Sequence, residues 1–285
     1  MTMNGAGLQI ETGGHVTRLK WHRLRRSLAD PEFGAAVMAE GFALGASMEL
    51  DLQVRGDGGF VVLHDDALDR ETTGTGVVAT RIGADLIGLR YRSQDCAPIL
   101  SETLAGMLTA AHPAALLQFD MKNTLEEVGP AGLRHFADHF ADRCGAIIIS
   151  GGSIPLIRAL AERIPDLKRG YDPSDTLLDL WPAAGLPGVE RALTEVLRDR
   201  IKPYMVYLQW EMVLTAAELG LDMIALAHAE GVAVDAWTHA MAQPAAGFSD
   251  PEWLAFSNLL ALKPDQITTD EPVATQAAWQ ALVPA

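Results

Sequence analysis

Eight short β-rich runs alternating with helix-like stretches, in a 285-residue chain with no linker and no internal repeat, predict an α/β protein folded as one (β/α)8 barrel. The alternation also admits an open doubly wound sheet. The expected strands are Val16–Trp21, Ser47–Val54, Ala115–Met121, Ala146–Ser150, Leu167–Gly170, Tyr204–Gln209, Val232–Trp237 and Gln266–Thr268. Helical patterns cover Pro31–Leu44, Leu100–Ala111, Pro130–Arg143, Pro155–Ile164, Val189–Arg200, Leu221–Glu230 and Glu252–Ala261. Pro31, Pro130 and Pro155 sit where a first helical residue would, a place that suits proline because its missing N–H would have no partner there. One interval breaks the rhythm. Asp65 to Pro98 is rich in turn residues, has no long periodic helix and is too long for an ordinary loop. The expectation is a single domain over residues 1–285 with an insertion at about 65–98.

Composition narrows the function. Hydrophobic residues make up 49% of the chain, which excludes a disordered class. The formal charge is −15, from 22 basic and 37 acidic residues. A nucleic-acid binder is therefore not expected, since that affinity comes from Lys and Arg neutralising phosphates. Cys96 and Cys144 form no CxxC pair and no disulfide framework. The N-terminal residues lack the basic and apolar regions of a secretory signal, and no apolar run approaches the ~20 residues of a membrane span. A cytoplasmic protein is expected; self-association into a homo-oligomer stays open.

The chemistry-bearing residues cluster at expected strand ends. Residues two apart on a strand share a face, so MELDLQV turns Glu49 and Asp51 one way and Met48, Leu50 and Leu52 the other. Two like charges there ask for a cation between them, and oxygen ligands favour hard ions such as Mg²⁺ or Ca²⁺. A solvated strand end explains the pair equally well. His64 follows a tight Gly56–Gly59 turn, so a hairpin-like return could carry it back beside the carboxylates as a general acid or base. His22 and Arg23 close the first strand and would supply a proton carrier and a phosphate-binding fork. Asp120 and Lys122, two apart at a strand end, are either an ion pair or a further metal ligand with a substrate-binding cation. Trp237 could line a substrate pocket, and Gln209, Trp210 and His239 are vaguer candidates of the same kind.

Taken in order, His22-Arg23, Glu49-x-Asp51, His64-Asp65, LDRETTGTG, Asp120-x-Lys122, VDAWTH and PDQITTDEP resemble the glycerophosphodiester phosphodiesterase family from His22 to Pro272. The resemblance implies a TIM barrel with a small insertion after the second strand. It implies a divalent metal, Mg²⁺ or Ca²⁺ with Mn²⁺ as a further option, on Glu49, Asp51 and Asp120. It also implies His22 and His64 as the acid–base pair, with Arg23 and Lys122 on phosphate oxygens. The activity implied is hydrolysis of a small-molecule phosphodiester to a phosphomonoester and an alcohol. The alternatives are a phospholipase-like lyase that releases a cyclic phosphate, and an inactive barrel that binds a phosphorylated metabolite.

The sequence departs from the family pattern in specific places. Leu24 stands where His-Arg-Gly is usual, Asp120 where Glu is usual, and Ala240 near a common Asn. These changes widen the expected substrates from glycerol diesters to sugar diesters, opine-type ones included. Three other signals have bland readings. GTGVVA at 74–79 follows a polar segment rather than a strand, so it is no dinucleotide fingerprint. His135 and His139 share a helix face with Asp138 and Asp142 and read as solvated rather than as zinc ligands. SGGS at 150–153 reads as a plain tight turn rather than an anion cradle.

Overall fold

The computed structural model describes residues 5–282. In chain order the strands are β1 (Gln9–Thr12), β2 (His15–Trp21), β3 (Ser47–Val54), β4 (Phe60–Val62), β5 (Leu116–Met121), β6 (Ile147–Gly151), β7 (Lys168–Tyr171), β8 (Met205–Gln209), β9 (Ala233–His239) and β10 (Gln266–Thr269). Between and after them lie α1 (Ala35–Leu44), α2 (Gly83–Leu86), α3 (Ser101–Leu108), α4 (Leu125–Phe140), α5 (Ile154–Arg163), α6 (Ser174–Leu197), α7 (Trp210–Glu218), α8 (Met223–Ala229), α9 (Asp250–Ala261) and α10 (Pro272–Leu282). The sheet order is β1-β2-β10-β9-β8-β7-β6-β5-β3-β4, and β2 pairs again with β3. Eight strands thus close into a parallel (β/α)8 barrel with helices between them. β1 and β4 are antiparallel additions. All eight expected strands are present; β4 is the return strand of the hairpin expected after the Gly56–Gly59 turn, and β1 has no sequence signal because a run of four residues carries almost no periodicity.

The helix boundaries show which sequence signals fail locally. Pro31 does not start α1; the helix begins at Ala35 after a turn in which Phe33 has φ 58°. Pro130 does open a helical run, but α4 starts earlier, at a capping box in which Thr124 and Glu127 satisfy each other's backbone N–H groups. Gly129, with φ 58°, forms the kink between the two parts. Pro155 sits in the first turn of α5 as expected. The helix expected over Leu221–Glu230 is the second of two, α7 and α8, bent by 98° at a break. α7 went unread because it follows β8 without a single intervening residue. No single described helix is long and apolar enough to cross a membrane.

The chain divides into two compact units, residues 5–22, 26–28 and 170–282 in one and residues 23–25 and 29–169 in the other. In the first, Val206, Leu208, Val234 and Ala236 pack outward with Met212, Val213 and Ile224 of α7 and α8 and Phe256 of α9. The opposite parity carries polar groups. Lys20 and Asp235 pair at 2.6 Å with almost no exposure, and Thr268 Oγ1 donates to Asp235 at 2.7 Å. A buried ion pair needs such extra hydrogen bonds to offset its desolvation.

In the second unit, Phe60, Phe119, Phe136 and Phe140 form edge-on and tilted ring contacts with centroids 4.9–6.2 Å apart. Every residue of β3 is buried, as expected for a parallel strand covered on both faces. Residues 65–98 hold two isolated bridges, a 3-10 turn at Val78–Thr80 and the one-turn α2, with no longer helix.

Candidate active site

The site in the second unit is built by register. β3 and β5 pair with Asp51 directly opposite Asp120, and Glu49 lies two residues back on the same face. Ligand-capable oxygens of Glu49, Asp51 and Asp120 all fall within 4.8 Å of one another. Glu49 and Asp51 are 5% and 2% exposed, so the solvated-strand-end explanation fails for them. Two buried carboxylates with a third beside them are unfavourable without positive charge nearby. Burial, and then the neighbouring Glu49, push the Asp51 carboxyl up to about 7, although Lys122 acts in the opposite direction.

Two cations answer this crowding. Lys122 Nζ lies 2.8 Å from Asp51 Oδ1 and also donates to Asp120 Oδ2, so Asp120 and Lys122 are an ion pair within the acidic cluster. Burial alone would lower the Lys122 ammonium, but Asp120 and Asp51 outweigh it and hold its pKa above the ordinary value. The Arg23 backbone N–H donates to Glu49 Oε2 at 2.8 Å, its Nη1 donates to Glu32 at 3.0 Å, and its Nε stands 3.8 Å from Asp51 Oδ2. That Asp51 oxygen is buried and has no hydrogen-bond donor among the described residues. An all-oxygen set with one unsatisfied buried carboxylate oxygen fits a hard divalent cation.

The backbone at Arg23 explains why this turn is demanding. Arg23 and Leu24 both have positive φ, 50° and 58°. Glycine would enter that conformation without strain, whereas Leu24 is held there by a fully buried side chain.

His64 follows β4, the return strand of a hairpin with β3. β3 and β4 pair antiparallel with Leu52 opposite Val62, and the Leu63 N–H donates to the Asp51 carbonyl at 3.2 Å. The His64 ring Nδ1 donates to Asp65 Oδ1 at 2.8 Å. A carboxylate only accepts, so this bond keeps the proton on Nδ1 and leaves Nε2 as the free ring nitrogen. Asp65 is fixed in turn by two bonds from Arg70, which, with His64, hold its carboxyl well below the usual range despite some burial. Glu71 accepts the backbone N–H groups of His64 and Asp65 at 3.2 and 2.7 Å. In the other unit, His22 Nδ1 donates to Asp270 Oδ1 at 2.8 Å, the same aspartate-anchored arrangement.

Trp237 lies near the end of β9, half-buried, with its indole N–H enclosed and lacking an acceptor among the described residues. His239 is buried among Trp210, Phe248 and Phe256, and burial pushes its pKa down to about 4. Gln209 ends β8, its N–H held by Ser174 Oγ. His135 and His139 are half-buried rather than solvated; their rings stack at 4.1 Å and His135 meets Ser101 Oγ at 2.7 Å. Neither belongs to a group of possible metal ligands among the described residues.

Sequence reasoning passed over the residues that hold others in place. Asp270, Glu71, Glu32 and Arg70 had no assigned role, although Asp270 stands in the quoted TTDEP close. Ser150, which the sequence marks only as part of a turn, donates to Asp120 at 3.1 Å and accepts from Gln118 at 2.8 Å. The Asp270 and Ser150 contacts join distant parts of the sequence, and those of Glu32, Arg70 and Glu71 lie in irregular turns, where no helix or strand period marks them.

These features define a (β/α)8 barrel whose strand ends carry an acidic trio flanked by an arginine and a lysine, with an aspartate-anchored histidine after the β3–β4 hairpin. Among solved structures, glycerophosphodiester phosphodiesterases share this fold. A phosphodiesterase from Oleispira antarctica, solved with the product sn-glycerol-3-phosphate, is 20% identical with a TM-score of 0.64, covering 92% of this chain and 96% of its own. A glycerophosphodiester phosphodiesterase from Agrobacterium tumefaciens is 17% identical with a TM-score of 0.62, over 92% and 99% of the two chains. One from Thermotoga maritima is 20% identical with a TM-score of 0.59, over 90% and 95%. No family model and no curated protein matches the sequence.

Proposed function

We propose that this chain hydrolyses a small phosphodiester, built on glycerol or on a sugar, to a phosphomonoester and an alcohol. The observation that carries this reading is the register-locked trio Glu49, Asp51 and Asp120 with Arg23 and Lys122 beside it. Such a set suits an anionic phosphoryl group in an otherwise acidic protein. The shared fold agrees with it, and the Oleispira protein holds a glycerol phosphate as its product.

Glu49, Asp51 and Asp120 would hold Mg²⁺, Ca²⁺ or Mn²⁺. A divalent cation bound there would offset charge on a phosphoryl oxygen. Arg23 and Lys122 would bind the remaining oxygens, and Trp237 would form an apolar wall. His22 and His64 carry the protons. A hydroxyl next to the phosphoester attacks phosphorus, forming a new P–O bond as the bond to the leaving alcohol breaks. One histidine accepts the hydroxyl proton at Nε2, and the other donates a proton to the departing oxygen. Water then opens the cyclic diester with the two proton transfers reversed, so one diester and one water give one monoester and one alcohol. Asp65 and Asp270 keep each ring in the tautomer that exposes Nε2.

Phosphorus NMR of the products, across glycerol, inositol and sugar diesters with each metal added, tests the reaction. A monoester is expected, and an accumulating cyclic phosphate would turn the reading to a lyase. Binding without turnover of any diester would leave an inactive phosphometabolite-binding barrel. Replacing His64 by Ala should lower turnover by a factor on the order of 10² or more. Full activity in chelator would remove the three carboxylates from the chemistry.

A further inference from the structure

A cavity of about 310 Å³ lies in the same unit as the acidic trio. That is near the lower end of the sizes small ligands occupy. One wall is the turn before α1, at Glu32 and Phe33; the other comes from residues 65–98, with Arg70, Glu71, Tyr91, Arg92 and Ser93. The walls are shared with the site. Glu32 accepts from Arg23, while Arg70 and Glu71 hold Asp65 and the backbone of His64. Phe33 keeps its place in spite of φ 58°, a conformation costly for a bulky side chain unless its surroundings fix it.

Most polar capacity of this cavity is already committed. The Glu71 oxygens accept two backbone N–H groups. Glu32 is compensated by Arg23 and by Arg25 at 3.6 Å. The Tyr91 hydroxyl donates to the Val62 carbonyl and accepts from the Ile99 N–H. Arg70 is spent on Asp65. Arg92 uses only Nε, on the Asp69 carbonyl at 3.0 Å, and its two terminal nitrogens have no acceptor among the described residues. The Ser93 hydroxyl has no partner among them either. What remains is a guanidinium edge and a hydroxyl, both exposed. A quaternary ammonium would instead want open aromatic faces or an unpaired carboxylate. Phe33 and Tyr91 are 1% and 3% exposed, and both glutamates are engaged.

We infer that this cavity receives the departing alcohol of the diester and selects alcohols that carry a carboxylate, which Arg92 binds through its terminal nitrogens with Ser93 alongside. The inference rests on the hydrolytic reading of the neighbouring site. Glycerophosphoserine and glycerophosphoethanolamine test it, because they differ by one carboxylate. With Mg²⁺ present, kcat/KM should favour the serine diester about tenfold, the order expected of one charge-assisted hydrogen-bonded contact. Arg92→Met should bring the ratio of the two close to one, mainly through KM. A wild-type ratio near one, or a ratio unchanged in R92M, would overturn the inference. Calorimetric binding of both diesters to wild type and R92M separates it from the hydrolytic reading. If neither diester turns over, hydrolysis of these diesters fails, while a serine preference that R92M abolishes still supports the cavity assignment. Equal binding of the two diesters would refute it.

Discussion

Asp51 concentrates the conflict at this site: it is buried, lies beside Glu49 and Asp120, and keeps one oxygen without a donor among the described residues. Divalent metal should relieve that conflict, so adding Mg²⁺, Ca²⁺ or Mn²⁺ at about 100 Kd should stabilise the fold by about 2.7 kcal/mol. Differential scanning calorimetry should show this as a rise in Tm of a few degrees, and Asp51→Asn should remove most of the rise. His239 poses the opposite problem, a base buried in its neutral form. Its folded pKa near 4 lies below the unfolded value of 6.5. Its contribution to stability is therefore whole above pH 6.5 and lost as pH falls towards 4, because the unfolded chain takes up the proton first. The span is worth roughly 3 kcal/mol at most. Urea midpoints at pH 5 and 7.5 should draw together in His239→Phe; an unchanged gap would assign the acid sensitivity elsewhere. Leu24 sets strain against burial. Glycine there would relieve about 1–2 kcal/mol of left-handed strain but forfeit about 2–5 kcal/mol of core packing. Leu24→Gly should therefore destabilise the fold, and a higher urea midpoint would reverse that ranking.

At the scale of elements, strand pairing sets the site and small residues permit the pairing. Asp120 stands opposite both Asp51 and Ser150, so β3, β5 and β6 must keep register for the trio and its Ser150 support to meet. Gly151, at φ 142°, makes that join possible, because an added Cβ would lie 2.4 Å from the Met121 carbonyl oxygen. Gly151→Ala should cost about 2 kcal/mol or more in chemical denaturation, with metal-induced stabilisation weakened in parallel. Thr124 caps α4, and Thr124→Ala should cost about 1 kcal/mol without affecting metal response. The eight barrel strands were legible because each is a run of apolar or alternating residues between turn signals. The start of α1 was not legible, since Pro31 suits a turn as well as a first helical position. α7 was hidden by its direct junction with β8.

For the molecule as a whole, the charge of −15 acts through self-repulsion, which dissolved salt screens. Raising NaCl from about 10 to 150 mM should therefore raise the urea midpoint; a fall would mean that exposed attractive ion pairs such as Arg198–Glu230 dominate. What the sequence by itself determined is the alternation of strands with helices and the facing of Glu49 with Asp51. Both follow from short-range periodicity, which is written into neighbouring residues. Tertiary structure alone decided that Asp120 stands beside Asp51, that Asp270 meets His22, and that Glu32, Arg70 and Arg92 border one cavity. Those relations depend on which strands pair and where a long excursion folds back. No local spacing encodes them, because the partners are brought together only when the sheet closes and its buried charges must find one another.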